Sequence, residues 1–398
     1  MSQEINVPLL DLKAQYDTLR DEIEPIIRDV VESQWFIMGP KVADFEAAVA
    51  DYSGTSHAVG CASGSDALLL ALMAHDIGPG DEVICPSYTF FSTAGSIWRL
   101  GAKPVFCDID PGTYNCTVET IAEAASRCSN LKAIMPVHLF GQAVDLDGML
   151  SFAESAGVPL IEDAAQAIGC RDAGGTRVGA RGHIGCFSFF PSKNLGGFGD
   201  GGILTTNDDV VADRMRRLRN HGMEPKYYHD EVGLNSRLDA LQAAVLHIKL
   251  SHLDNWADGR RRNAVDYDRM FDEAGAGTSG MSFDSASLPL LRPTCPESPA
   301  FHIYNQYVIR VPAELRDDLR AHLVENRIGH EVYYPVPLHR QECFKALAES
   351  TGSLPESEAA AQETIALPIY PELTMDQKQH VADTIISYVK SHATVGAG

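Results

Sequence analysis

The stretch that decides the fold is Ala133-Ile134-Met135-Pro136-Val137, the helix-patterned Leu146–Ala156, and then Pro159-Leu160-Ile161-Glu162. Two short apolar runs flank one segment of helical period, which is the pattern of parallel strands joined by a covering helix. The same alternation extends outward from about residue 55 to residue 206. Further apolar runs occur at Ala58–Gly60, Glu82–Pro86, Lys103–Asp108, Gly185–Phe189 and Gly202–Thr205, with helical patterns at Ser65–His75, Thr89–Leu100 and Val118–Cys128. The implied class is α/β: a three-layer α/β/α domain around a mostly parallel seven-stranded sheet. In such sheets ligands bind beyond the carboxyl ends of the strands, so residues just after each run are the ones to inspect.

Past residue 206 the helical segments lengthen. Val211, Met215 and Leu218 share one face, leaving Arg214, Arg216, Arg217 and Arg219 largely on the others. A Gly/Ser/Pro-rich patch at Gly275–Pro299 reads as a joint. Beyond it Tyr304–Val311 reads as a strand, Ala313–Asn326 as a helix and His330–Tyr334 as another strand. The expected division is a large domain over residues 1–254, with an N-terminal helical segment, and a smaller C-terminal α+β domain over 255–398. Pro25 interrupts the helical run Leu12–Val31, which predicts a kinked or late-starting first helix.

The 398 residues carry 32 Lys+Arg against 54 Asp+Glu, a net charge of −22, and 45% are apolar. That apolar share excludes a disordered chain. The acidic excess repels a phosphate backbone and weighs against nucleic acid as a partner. No apolar run approaches the length of a membrane span, and Met1–Leu12 lacks the basic and apolar regions of a secretory leader. The nine cysteines include no C-x-x-C pair, so no metal site is read; free thiols buried in the cytoplasm account for them.

The strand ends carry the chemistry. Ser63-Gly64-Ser65-Asp66 follows a strand and opens a helix, where small residues let free N–H groups face a phosphate; a simple N-cap is the plainer alternative. Asp163 ends an apolar strand, and a carboxylate buried there calls for a cationic partner such as a protonated heteroaromatic nitrogen; a helix N-cap is the alternative. Ser188-Phe189-Phe190-Pro191-Ser192-Lys193-Asn194-Leu195-Gly196-Gly197 places a lysine in a tight loop, where partial desolvation makes a Schiff-base nucleophile; taken alone, a solvent-facing lysine is the plainer reading. Gly197-Phe198-Gly199-Asp200-Gly201-Gly202 satisfies G-x-G-x-x-G, yet an apolar strand follows it rather than a helix, which removes the dinucleotide reading.

Taken together, Ser63–Leu68, Pro86–Phe90, Pro136–Gln142, Glu162–Gln166, Ser188–Lys193 and Gly233–Asp239 resemble, in order and spacing, the DegT/DnrJ/EryC1/StrS family of sugar aminotransferases. These are pyridoxal-phosphate enzymes of fold type I. The resemblance implies that Lys193 binds the cofactor and shuttles a proton between substrate and cofactor carbons. It implies that Asp163 pairs with the pyridinium nitrogen and Gln166 with the ring hydroxyl. Phe90 would stack on the ring, with core packing the alternative, and Gly64, Ser65 and Ser188 would hold the phosphate. Asn235 would reach that phosphate from a neighbouring subunit, implying a homodimer with shared sites.

Arg237 would bind a carboxylate of the amino donor or of the substrate, or else pair with Asp239. Tyr333, Tyr334 and His339 resemble a substrate-side segment, with packing the alternative for the tyrosines. His138 is open between contact with the cofactor region and a local cap. The implied reaction moves an amino group from an amino acid, usually glutamate, to a nucleotide-linked keto-sugar. Asp200, where members acting at C4 more often carry Glu, favours a dTDP- or UDP-linked 3-keto-hexose over a 4-keto sugar or an inosose. Lys193 itself separates the chain from sugar dehydratases of this kind, which carry His there. A DNA-binding regulator is the remaining rival, with Arg214–Arg219 as its only dense basic run.

Overall fold

The computed structural model describes residues 5–294 and 302–392. Seven strands form the central sheet: β1 (His57–Cys61), β2 (Glu82–Pro86), β3 (Lys103–Cys107), β4 (Leu131–Ile134), β5 (Ile161–Asp163), β6 (Ile184–Ser188) and β7 (Gly202–Thr206). One set is ordered β3-β2-β4 and the other β5-β6-β7-β1. Parallel bridges Ile134↔Leu160 and Val137↔Asp163 join the two sets edge to edge. Only β7 runs against the rest, antiparallel to both β6 and β1. The sheet is therefore mostly parallel, as its uninterrupted apolar strands require.

Helices cover both faces. On one side α1 (Leu12–Ser33) and α2 (Pro40–Ser53) pack through Leu19, Ile23, Phe45 and Val49 against Phe187, Phe189 and Ile203. On the other, α3 (Gly64–Ala74) is apolar nearly all round and is buried as such a helix must be, with Leu68, Leu70 and Leu72 in the core. Helices α4 (Phe91–Arg99), α5 (Val118–Ala125), α6 (Leu146–Ala156) and α7 (Asp209–Leu218) complete the cover, and α8 (Ala240–Leu250) lies beside α1 and α2. Among the described residues no helix is long and apolar enough to cross a membrane.

Helix α9 (Leu253–Glu273) starts in the core of the large sheet, with Leu253 and Trp256, and ends in another, with Tyr267, Met270 and Phe271. That second core lies under a small sheet of β8 (Gly277–Thr278), β9 (Leu291–Arg292), β10 (Tyr307–Arg310) and β11 (Thr364–Leu367), ordered β11-β10-β9-β8. The Gly/Ser/Pro-rich patch thus supplies two short strands rather than only a joint, and its residues 295–299 lie outside the described residues.

Two local expectations are corrected. His330–Tyr334 is not a strand: a single bridge, Glu331↔Ala366, is all that forms before Pro335 and Pro337 remove further donors. Pro25 neither delays nor ends α1, which begins at Leu12 with Asp11 Oδ1 capping the Ala14 N–H at 2.9 Å. Pro25 is exposed, so water can take the carbonyl it leaves unpaired.

Candidate active site

Four strand ends and one loop converge on a cleft of about 370 Å³ at the carboxyl edge of the sheet. Because β7 runs backwards, its first residue lies at that same edge. The connection from Ser188 to Gly202, which carries Lys193, is thereby held over the cleft.

One corner is built for an anion. Ser63 caps α3, its Oγ accepting the Asp66 N–H at 3.1 Å, so the preceding N–H groups at Gly64 and Ser65 face the cleft at the positive end of the helix. Gly64 is required by close approach: a Cβ there would come within 2.5 Å of Ser188 Cβ. Ser65 Oγ bonds Ser92 Oγ at 2.5 Å, tying this corner to the start of α4.

Asp163, 3% exposed, ends β5 in the floor. Its Oδ2 accepts from Thr93 Oγ1 at 2.8 Å and its Oδ1 from the Ala165 N–H at 3.2 Å. Burial pushes its carboxyl up, and the Thr93 and Ala165 hydrogen bonds and the nearby Lys193 charge pull the other way. Among the described residues no cation hydrogen-bonds it.

Lys193 is the answering group. Burial lowers its ammonium to about 8, with Asp163 opposing, and among the described residues its Nζ has no hydrogen-bond or ion-pair partner. The loop itself is held at several points. Gly197 N–H reaches Phe189 O at 2.8 Å. Asn305 Nδ2 donates to Asn194 Oδ1 at 2.7 Å, Lys249 Nζ to Gly196 O at 2.8 Å, and Phe198 N–H to Gln242 Oε1 at 2.8 Å. Gln166 takes the Phe140 N–H at 2.7 Å and donates to Tyr334 Oη at 3.0 Å. Phe90 stands 54% exposed over the cleft, its ring 5.9 Å from that of Tyr334.

These residues fit a flat, protonated heteroaromatic bearing a phosphate. They offer a buried carboxylate for a ring N–H, an unpaired amine for a carbonyl carbon, a helix N-terminus for the phosphate and an aromatic face for the ring. Among known proteins, the family model described as the DegT/DnrJ/EryC1/StrS aminotransferase family matches residues 17–386. The chain belongs to the DegT/DnrJ/EryC1/StrS aminotransferase family. Members of this family are pyridoxal-phosphate-dependent transaminases.

The chain is 45% identical to a pleiotropic regulatory protein of Geobacillus stearothermophilus, over 98% of this chain and 100% of that one. It is 42% identical to the UDP-N-acetyl-3-dehydro-alpha-D-glucosamine 3-aminotransferase of Acidithiobacillus ferrooxidans, over 97% and 98%. A crystal structure of S. venezuelae DesV in complex with a ketimine intermediate superposes with a TM-score of 0.88 at 39% identity, covering 97% of this chain and 99% of that one.

In this DegT/DnrJ/EryC1/StrS member the cleft brings together Gly64, Ser65, Phe90, Asp163, Gln166, Ser188, Lys193, Tyr333 and Tyr334. Asp200 is on the wall as well. Four residues singled out in the sequence are elsewhere. His339 is 1% exposed, with Nδ1 on Ser87 Oγ at 2.6 Å and Nε2 on Glu358 at 2.9 Å; the prolines before it turn it away from the two tyrosines. His138 is fully buried, and its Nδ1 accepts the Val144 N–H. Nε2 therefore carries the proton and donates to Glu162 at 2.9 Å, so His138 is a local structural group. Asn235 is exposed and off the cleft, and Arg237 bonds Asn220 Oδ1 at 2.8 Å rather than Asp239. Thr93, Ser92 and Gln306 went unread in the sequence. A helical Thr or Ser and a Gln at a strand edge carry no local signal; only the fold brings them to the site.

Proposed function

We propose that the protein transfers an amino group from an amino acid, glutamate in our reading, to C3 of a dTDP- or UDP-linked 3-keto-hexose, using pyridoxal 5′-phosphate. The observation that carries this reading is the unpartnered Lys193 amine, lowered to about 8 by burial, in one cleft with the buried Asp163 carboxylate. When bound, pyridoxal phosphate supplies the carbonyl that takes the amino group and the electron sink that loosens the Cα–H bond. The chain supplies the rest. Asp163, steadied by Thr93 and the Ala165 N–H, accepts the ring N–H and keeps it protonated. Gly64, Ser65 and Ser188 fix the phosphate, and Phe90 covers the ring. Lys193, whose amine is unpartnered in the cleft, would be the group that holds and moves the proton of the amino-acid carbon in both half-reactions.

Asp200 on the wall and the 3-aminotransferase named in Acidithiobacillus ferrooxidans support C3 over C4. Asn235 and Arg237, which lie off their own cleft, would serve the site of a second copy, in a homodimer with shared sites. We further propose that 255–398 is the smaller C-terminal domain, entered through α9, and that the enzyme works in the cytoplasm.

The regulatory name of the Geobacillus relative keeps DNA binding as the rival. Against it, three of the four arginines of the basic run are paired within the chain: Arg214 with Asp76 and Glu231, Arg217 with Asp213, and Arg219 with Glu46. Incubation with glutamate and a panel of nucleotide-linked keto-sugars, read by product mass, is expected to give a 3-amino sugar. A 4-amino product would overturn C3. No amino sugar from any of the panel, with salt-sensitive DNA binding instead, would overturn the reading. Lys193→Ala is expected to abolish both turnover and the visible absorbance of the lysine-bound cofactor.

A further inference from the structure

His339 lies outside the cleft, yet its bonds join two walls that form it. After the bridge at Glu331 the chain passes Tyr333 and Tyr334 on one wall, then enters the short 3₁₀ turn Leu338–Arg340. The end of β2 grips this segment at both ends. Tyr88 Oη donates to Tyr333 O at 2.6 Å. Past the tyrosines, the Leu338 N–H donates to Ser87 O at 2.8 Å and the His339 N–H to Ser87 Oγ at 3.3 Å. The same strand end runs on into Phe90, which faces Tyr334, and Thr93, which holds Asp163.

Side chains close the joint. Ser87 Oγ and His339 Nδ1 lie 2.6 Å apart, both buried. Among the described residues Nδ1 is the one side-chain acceptor that the Ser87 hydroxyl meets, so Ser87 donates and Nδ1 carries no proton. Nε2 then holds the ring proton and donates to Glu358 at 2.9 Å. Burial, with Arg340 alongside, holds the imidazole below its ordinary value, against the pull of Glu358. Serine, histidine and acid stand in the order of a nucleophilic triad, but a hydroxyl sealed from solvent meets no substrate. What this chain of bonds can do is hold a segment in place.

The two ends of the imidazole are unequal. Glu358 is held without it: Arg340 Nη2 donates to the same Oε1 at 2.8 Å. The helix Pro355–Glu363 is also fastened just past β3, where Ser357 Oγ donates to Asp108 at 2.6 Å. Ser87 has no such substitute. Without Nδ1 its buried hydroxyl loses its acceptor, and lifting the segment to admit water is the way to relieve that cost.

We propose that His339 is a positioning residue for the sugar half of the reaction: through Ser87 it keeps Tyr333 and Tyr334 set against Phe90, in the arrangement that receives the keto-sugar. This rests on the reading of the protein as a sugar aminotransferase whose two tyrosines face the sugar. Lys193 and Asp163 are held by other contacts, Asn194 to Asn305 and Thr93. A loosened wall therefore lowers the share of molecules ready to bind sugar, which raises KM and leaves the chemical step alone.

The test compares full-length holoenzymes carrying His339→Gln, His339→Asn or Ser87→Ala. Asparagine places an acceptor where Nδ1 lies, and glutamine a donor where Nε2 lies. His339→Gln and Ser87→Ala are each expected to raise the KM for the nucleotide-linked 3-keto-hexose about tenfold, with kcat within about twofold. Combined, they should cost no more than either alone. His339→Asn should restore most of the loss. The visible absorbance of the lysine-bound cofactor should be unchanged throughout. Hydrogen exchange read by mass should quicken at least about tenfold across residues 331–341, and not in β10 or β11.

A merely structural role reads differently: exchange quickened through β10 and β11 as well, with the KM of the folded fraction unchanged. That pattern would overturn the proposal. So would a loss of kcat at constant KM, or a His339→Asn variant as impaired as His339→Gln. Each of these, with a wild type that does aminate a keto-sugar, removes this inference alone. A wild type that aminates no keto-sugar would sink the proposed function and this inference together.

Discussion

Asp163 is a carboxylate buried, among the described residues, without a bonded cation, and what keeps it in service is one hydroxyl. Thr93 Oγ1 and the Ala165 N–H are its two donors, set against the burial that pushes its proton affinity up. In Thr93→Val the shape survives and the hydrogen bond does not. A bond to a charged group is worth about 1.5–3 kcal/mol, so cofactor affinity should fall by roughly tenfold or more. Titration of the apo-enzyme with pyridoxal phosphate checks this; unchanged affinity would show that Thr93 is bystander packing. Lys193 gives a pH dependence whose sign is fixed. Only the neutral amine attacks a carbonyl, and its population rises as pH passes the lowered value of about 8. The rate at which apo-enzyme takes up the cofactor should climb to about pH 8 and then level off. A rate still climbing toward pH 10 would mean an ordinary, exposed lysine. Lys193 and Asp163 were legible because a charge at the end of an apolar run conflicts with its own neighbourhood. Thr93 was not: it lies 70 residues from the carboxylate it serves, and nothing local distinguishes it.

At the scale of elements, the contact between the start of α3 and the end of β6 sets the anion corner. Alanine favours a helix over glycine by about 1 kcal/mol, but at residue 64 its Cβ would meet Ser188 Cβ at 2.5 Å. Overpacking of that kind costs about 1–3 kcal/mol, so the clash wins. Gly64→Ala should lower the melting temperature and weaken the binding of pyridoxal phosphate, both measurable by thermal unfolding with and without cofactor. The lysine loop depends on α8 in another way. Lys249, lowered to about 8 by burial, donates to Gly196 O and Gln15 Oε1. Lys249→Met loses those bonds and also the cost of burying a charge, so stability should change little. The loss should appear as faster proteolytic nicking within residues 189–201; unchanged nicking would show that Gln242 and Asn305 suffice. The alternating strands and helices were legible because period 2 and period 3.6 are local. His330–Tyr334 misled because its apolar and aromatic residues suit a strand, while the partner that would complete the pairing is absent beyond Glu331.

For the whole molecule, the −22 charge says little about a small phosphorylated ligand, because the cleft supplies its own positive end at α3. It remains an argument about long anionic surfaces. Global stability has a separate acid weak point at His302, buried and stacked on Tyr304 with ring centroids 3.9 Å apart. Burial holds its imidazole down to about 3, against an ordinary 6.5. Between those values the unfolded chain binds a proton that the native one refuses. Its stabilising contribution is therefore full above pH 6.5 and is lost as pH falls toward 3. The slope from this residue is at most roughly 1.4 kcal/mol per pH unit. Denaturant midpoints of wild type and His302→Gln should converge as pH drops from 7 to 5; a constant gap would clear His302 of the effect.

The one strand that runs backwards has a consequence for how chemistry can change on this scaffold. Ser188 pairs with Gly202 across β6 and β7, and the Phe189 N–H reaches Gly201 O at 2.8 Å just above, so residues 190–200 leave and rejoin the sheet at one closed rung. The register of both strands is set below that rung and does not depend on what lies above it. Inserting one residue within β6 or β7 would turn every later side chain to the opposite face. Inserting one above the rung would leave the sheet untouched. The lysine-bearing segment is in this sense an exchangeable cassette, and grafts between chains that share the Ser188–Gly202 rung should fold even where they alter what is aminated.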